Sequence, residues 1–151
     1  MKRVRKTFKA AGMHGFGAFT DFGTVVPELA GEFLKQLKAN GSEPATEAVF
    51  FEPKRDDHHL EGYFFAGMIG HEEHPENMDR LDMQEQDYVT VRGSLGQIAD
   101  LHRELSVWAA EQGYERDLET YIVETYHPAE NGEEVEIYLP VIGQRTVDKH
   151  T

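Results

Sequence analysis

A glutamate two residues before a tyrosine, on a segment where polar and apolar side chains alternate, holds the most chemistry in this sequence. It lies in LETYIVETYHPAENGEEVEIYLPV, residues 118–141, which reads as two strands joined by a charged turn. In the first strand Ile122, Glu124 and Tyr126 share one face, and Tyr121, Val123, Thr125 and His127 share the other. An ionised carboxylate beside apolar side chains costs several kcal/mol unless something compensates it. Hydrogen bonds from a tyrosine or the backbone, a raised pKa or a bound cation can each do so. Aromatic faces add about 0.5–2 kcal/mol for each contact with a cation. Glu124 with Tyr126, Tyr88, Tyr63 and Phe65 therefore suits a flat, positively charged organic molecule. Read from the residues alone, Glu124 fits better as a half-exposed strand residue in a surface ion pair. The same carboxylate and tyrosine, Glu124 and Tyr126, would be the catalytic pair if the protein were an enzyme, as general base and as oxyanion donor.

Other polar clusters read as structure. His71 and His74 in HEEHPEN lack the i, i+4 spacing of a zinc-binding helix, and Pro75 interrupts the segment, so no metal is expected there. His58 and His59 lie in a turn. No Ser/His/Asp or Cys/His signature is present, and no cofactor is expected. Trp108, Phe33, Phe50, Phe51 and Phe64 read as core. Tyr63, Tyr88 and Tyr126 are better pocket candidates, because a buried hydroxyl needs a polar partner. GMHGFGAF lacks the spacing and the lysine of a phosphate-binding loop, and reads as a glycine-rich loop whose Phe16 helps to wall the pocket.

These residues need elements to position them. A first strand is expected over Val4–Met13 and a helix over Pro27–Ala39, capped by Thr24 and stopped by Asn40-Gly41, with Leu29, Ala30, Phe33, Leu34 and Leu37 as its apolar stripe. Strands follow at Ala45–Glu52 and Glu61–Gly70, the second with Tyr63, Phe65 and Ile69 on one face. After residues 71–77 the order repeats. Arg80–Gly93 reads as a long strand and Ser94–Gln112 as a helix with Ile98, Leu101, Leu105, Trp108 and Ala109 inward. Gly113 ends that helix, and the closing strands follow. Strand, helix, strand, strand, written twice over about residues 3–70 and 78–143, predicts one α+β domain. It has an antiparallel sheet, two helices on one side and a ligand cleft along the seam.

The chain has 151 residues, 39% of them hydrophobic, no cysteine and a formal net charge of −13. It is long enough to bury a core, and it excludes disulfide frameworks, thiolate metal sites and thiol catalysis. The acidic surface repels phosphate backbones, so no direct nucleic-acid binding is expected, and the basic Lys2, Arg3, Arg5, Lys6 and Lys9 read as solubilising charge. No apolar run has the length of a membrane span and no signal-peptide core follows the N-terminus, so a cytoplasmic protein away from membranes is expected.

The order AAGMHG, EGYFFAGM, DYVTVRG, a helix ending in tryptophan, VETY and EVEIYLPV resembles the GyrI-like effector-binding domain family, from about Thr7 to Gly143. The resemblance implies a duplicated fold with a central pocket whose glutamate meets lipophilic, often cationic, drug-like molecules. That glutamate is Glu124 here, and Tyr126 and Tyr88 stand at the matching tyrosine positions. Glu119-Thr120-Tyr121 offers a second register for the same motif. Many relatives are parts of transcription regulators with a helix-turn-helix. The stretch before Thr7 has no room for one, so a free-standing effector domain, a sensor or sequestering protein, is expected. The resemblance also leaves open a hydrolase of strained electrophilic rings and a protein-interaction role such as inhibition of DNA gyrase.

Overall fold

The computed structural model describes residues 1–39, 46–69, 78–130 and 132–144. The expected helix stop at Asn40-Gly41, the HEEHPEN segment and the tail beyond residue 144 lie outside the described residues, as do the side chains of Phe33, Leu34 and Leu37. The strands are β1 (Lys2–Lys6), β2 (Lys9–Ala18), β3 (Thr46–Phe51), β4 (Glu61–Ile69), β5 (Asp79–Asp82), β6 (Gln86–Ser94), β7 (Tyr114–Arg116), β8 (Ile122–Ala129) and β9 (Gly132–Gln144). The helices are α1 (Phe22–Ala39) and α2 (Ile98–Glu111), each entered through a single 3₁₀ turn. The orders β2-α1-β3-β4 and β6-α2-β8-β9 follow the expected pattern. The result is an α+β fold with one antiparallel sheet ordered β1-β6-β9-β8-β3-β4-β2-β5, β7 pairing with β9.

Two expected strands are broken, for a common reason. The run from Val4 to Met13 divides at Thr7-Phe8 because β1 pairs with β6, whereas β2 pairs with β4 and β5. The run from Arg80 to Gly93 divides at residues 83–85, since β5 joins β2 and β6 joins β9. The two breaks meet, the Met83 amide donating to the Phe8 carbonyl at 2.9 Å. Each half thus lends a short strand to the other half's sheet edge.

This exchange curls the sheet. β1 stands six strand spacings from β2, about 29 Å if the sheet were flat. The link from Lys6 to Lys9 reaches about 11 Å at most. The sheet therefore wraps at that end, and Phe8 sits inside the wrap, with its ring edge-to-face against Phe50, Tyr88 and Tyr138 at 5.9, 5.3 and 5.1 Å. Phe65 and Val123 complete this inner core.

Both helices cover the other face. Leu101, Leu105 and Ala109, four residues apart, form the buried stripe of α2 against Val89, Ile122, Ile137 and Leu139. Burial of a side chain such as Leu105 contributes about 1.5–3 kcal/mol. Trp108 packs partly buried against this cluster, beside Tyr114. Gly113 ends α2 at φ 79°, a conformation that favours glycine. Val26 of α1 packs on Val49 and Phe64. Thr24 lies inside α1 and does not cap it, because the preceding turn starts the helix at Phe22. The expected glycine-rich loop is strand: β2 runs on through Gly12, Gly15 and Gly17 to Ala18. Gly12 answers a close approach, since a Cβ on it would stand 2.0 Å from the Ala66 carbonyl oxygen and one on its partner Gly67 2.2 Å from that of Ala11.

Candidate functional site

The two halves join where β3 pairs with β8. Alternation along these strands places Glu47, Val49 and Phe51 of β3, and Ile122, Glu124 and Tyr126 of β8, on the helix face. Val49 is the direct partner of Glu124, and Glu47 that of Tyr126. Above this seam α1 presents Gly23, Pro27, Ala30 and Gly31, spaced so that they share one face of the helix. A Cβ at Gly23 or Gly31 would meet nothing within 4 Å. Small side chains on the wall therefore leave room, and a cavity of about 730 Å³ opens between α1, the start of α2 and the seam. That volume lies within the usual range for small-molecule pockets. Phe22 and Phe51 supply aromatic walls, and Leu95 and Ile98 close the side nearest α2.

Glu124 lies on the floor and is only 8% exposed. Its oxygens are held separately. The Tyr126 hydroxyl donates to Oε1 at 2.6 Å, and His102 Nε2 donates to Oε2 at 2.6 Å. The buried carboxylate is thereby satisfied, yet a carboxylate has about four acceptor sites and two remain for a ligand. Burial, then the Glu124 charge, holds the Tyr126 hydroxyl far above the usual tyrosine range, so it stays a donor. Glu47 and Glu133 also line the cavity. Burial, reinforced by Glu133, raises the Glu47 carboxyl above the usual range. No lysine or arginine is among the described lining residues. Three glutamates and no described basic lining residue give the cavity a negative electrostatic character.

The residues expected around this glutamate divide between places. Glu124 and Tyr126 are together in the cavity. Tyr88 and Phe65 are fully buried in the inner core on the opposite face. Tyr63 and Phe16 are cross-strand partners whose rings lie 4.7 Å apart, 55% and 54% exposed, away from Glu124. The physical reason is register. Which face a strand residue takes depends on how its strand is paired, and one residue of phase inverts every side chain. Phe51, expected in the core, packs partly buried against both helix-side clusters and also lines the cavity. His102 was not among the expected residues. Its signal was available, since it stands four residues after Ile98 on a helix edge flanking the apolar stripe.

An antiparallel sheet with two helices over a charged seam cavity defines an α+β ligand-binding domain. Residues 3–142 match the family model of the GyrI-like small molecule binding domain, and the chain belongs to that family. No curated protein matches it in sequence. Among solved structures, SAV2435 bound to tetraphenylphosphonium is similar at a TM-score of 0.66 and 11% identity, over 95% of each chain. An integron cassette protein from Vibrio cholerae gives 0.60 and 17%, over 92% of this chain and 95% of that one. The EcmrR C-terminal domain gives 0.58 and 15%, over 93% and 96%. At such identities these likenesses establish the fold.

Proposed function

We propose that the seam cavity binds a lipophilic organic cation, with Glu124 as counter-charge and Phe22, Phe51 and Tyr126 as walls, and that the protein acts as a sensor or sequestering agent for such compounds. The observation that carries this reading is a nearly buried carboxylate on the floor of a cavity whose described lining has no basic side chain. A cation lacking hydrogen-bond donors is held there by charge and ring faces, and polar specificity is not needed. The tetraphenylphosphonium bound by SAV2435 is a ligand of this chemistry.

Calorimetric titration with tetraphenylphosphonium tests the reading. Wild-type protein is expected to bind, and Glu124→Gln to bind about 10- to 100-fold more weakly, the loss of a charge–charge attraction of about 1.5–3 kcal/mol at about 6–10 Å and an effective dielectric near about 20. Circular dichroism of the variant should be unchanged. Absence of binding, or equal affinity in both proteins, would overturn it. A second reading draws on the short contact between His102 and Glu124, since a carboxylate held by an imidazole can take a proton from water. Incubation with an epoxide-bearing cation separates the two. A hydrolase gives ring-opened product in proportion to time and enzyme, and a binding protein returns the compound intact.

A further inference from the structure

The sequence carries its glutamate-x-tyrosine pattern twice, at Glu119-Thr120-Tyr121 and Glu124-Thr125-Tyr126. The tyrosines are five residues apart. An odd offset along an extended chain sends them to opposite faces. Tyr126 faces the helix-side cavity, and Tyr121 packs on the inner core with Leu81 and Met83. The second motif therefore does not restate the first; it belongs to other surroundings.

Those surroundings contain a separate cavity of about 410 Å³. Tyr121, Leu81 and Met83 give it an apolar floor continuous with the inner core, and the exposed ring of Tyr63 forms one side. Its polar part offers several acceptors, beside the Gln84 carboxamide and the tyrosine hydroxyls. Glu52, which lines the cavity, takes the Tyr63 amide on Oε2, and its carboxylate keeps acceptor capacity for a guest. The nitrogen of Gln86 is committed to the Val141 carbonyl at 2.9 Å, which leaves its amide oxygen as an acceptor. Glu119 is 79% exposed and already paired with Arg55 at 3.2 Å, so the counter-charge falls to Glu52. No lysine, arginine or histidine is among the described lining residues.

We propose that this cavity is a second ligand site, selective for a small primary ammonium that carries one aromatic or branched alkyl group. An ammonium has three N–H donors and needs several acceptors around it, which this cavity offers. The apolar substituent would rest on Tyr121, Met83 and Leu81, with the nitrogen towards Glu52. A bulky cation without N–H groups would leave those acceptors unpaired. The two cavities thus divide organic cations by donor count. This assignment is independent of the one made for the seam cavity.

The test is titration of the full chain with 2-phenylethylammonium, followed by NMR of the tyrosine rings and methionine methyls. Saturable binding is expected, with shifts at Tyr63, Tyr121 and Met83, undiminished when tetraphenylphosphonium is present. Glu52→Gln can still accept the Tyr63 amide, and should weaken binding about tenfold by loss of the charge. Tyr63→Ala, on an exposed ring, should weaken it by a smaller factor while the protein stays folded. Displacement by tetraphenylphosphonium, equal affinity for the uncharged 2-phenylethanol, or no effect of Glu52→Gln would each overturn the proposal. So would the absence of saturation by about 10 mM, weaker than a specific site of this kind should be.

Discussion

At the scale of single residues, Tyr88 and Glu47 separate what faces the core from what faces the cavity. Tyr88 stands where the family pattern places a site tyrosine, yet it is fully buried on the face away from Glu124, and its hydroxyl has no hydrogen-bond partner among the described residues. Burial, and then the charge of Asp117, pushes that hydroxyl far above its ordinary range. An orphaned buried hydroxyl costs about 1–3 kcal/mol. Tyr88→Phe is therefore expected to keep or raise stability, by up to about 1 kcal/mol in urea unfolding, and to leave tetraphenylphosphonium affinity unchanged. A drop in affinity would return Tyr88 to the site. Glu47 makes the opposite case, because its carboxyl is raised by burial and then by Glu133. A raised carboxyl in the folded state means that folding favours its protonated form. Its stabilising effect is thus present below the unfolded pKa and is lost as pH rises through the higher folded value. Glu47→Gln should accordingly raise Tm at pH 7, with the difference vanishing near about pH 3, where both proteins are nearly uncharged at this position. The same variant should bind cations more weakly at pH 7. Equal Tm values at both pH values would show that Glu47 carries no such burden.

At the scale of elements, the glycines of β2 show how local pattern and tertiary demand diverge. A stretch as rich in glycine as GMHGFGAF reads as a loop, because glycine is a poor strand former. In the fold it is strand, and Gly12 and Gly67 allow two backbones to approach closer than any Cβ permits. Gly67→Ala should cost at least the upper end of the about 1–3 kcal/mol typical of overpacking, since the clash is with backbone that cannot rotate aside. Gly17→Ala, with nothing within 4 Å of the added carbon, should be neutral or stabilise by up to about 1 kcal/mol. Comparable losses in both variants, read by thermal unfolding, would assign the effect to strand flexibility and not to contact. The contrast marks what sequence can tell. Helix α2 was legible because Ile98, Leu101, Leu105 and Ala109 repeat at helical spacing, a local signal. Glu124 and Tyr126 were legible because they lie two apart on one strand. Tyr88, Tyr63 and Phe65 were misplaced beside them because their faces depend on pairings to strands distant in the chain. The breaks at Thr7-Phe8 and at residues 83–85 were hidden for the same reason: nothing nearby in sequence says that two short strands exchange edges.

At the scale of the whole molecule, the curled sheet separates two environments that a flat sheet would leave exposed on one side. The helix face carries the cavity, with α1 kept small-sided at Gly23, Ala30 and Gly31 to leave it open. The inner face carries the core that closes around Phe8, a residue outside any strand yet only 3% exposed. Phe8 gains its position from the exchange of β1, and in return its ring fills the space which that exchange encloses. Phe8→Ala should therefore remove about 3–5 kcal/mol, the usual loss for a buried phenylalanine, measured as a lower urea midpoint at unchanged m-value. Affinity for tetraphenylphosphonium, measured where the variant remains folded, should stay within about twofold of wild type, because sites with no shared partners act independently. The two results together are informative, since β8 has Val123 in the inner core and Glu124 in the cavity on adjacent residues. If loss of the Phe8 ring lets β8 shift, Glu124 moves with it and affinity falls along with stability. Unchanged affinity on a weakened fold would show instead that the ladders to β3 and β9 and the helix-side packing hold β8 in register without the Phe8 ring, and that the inner core stabilises the protein without tuning what it binds.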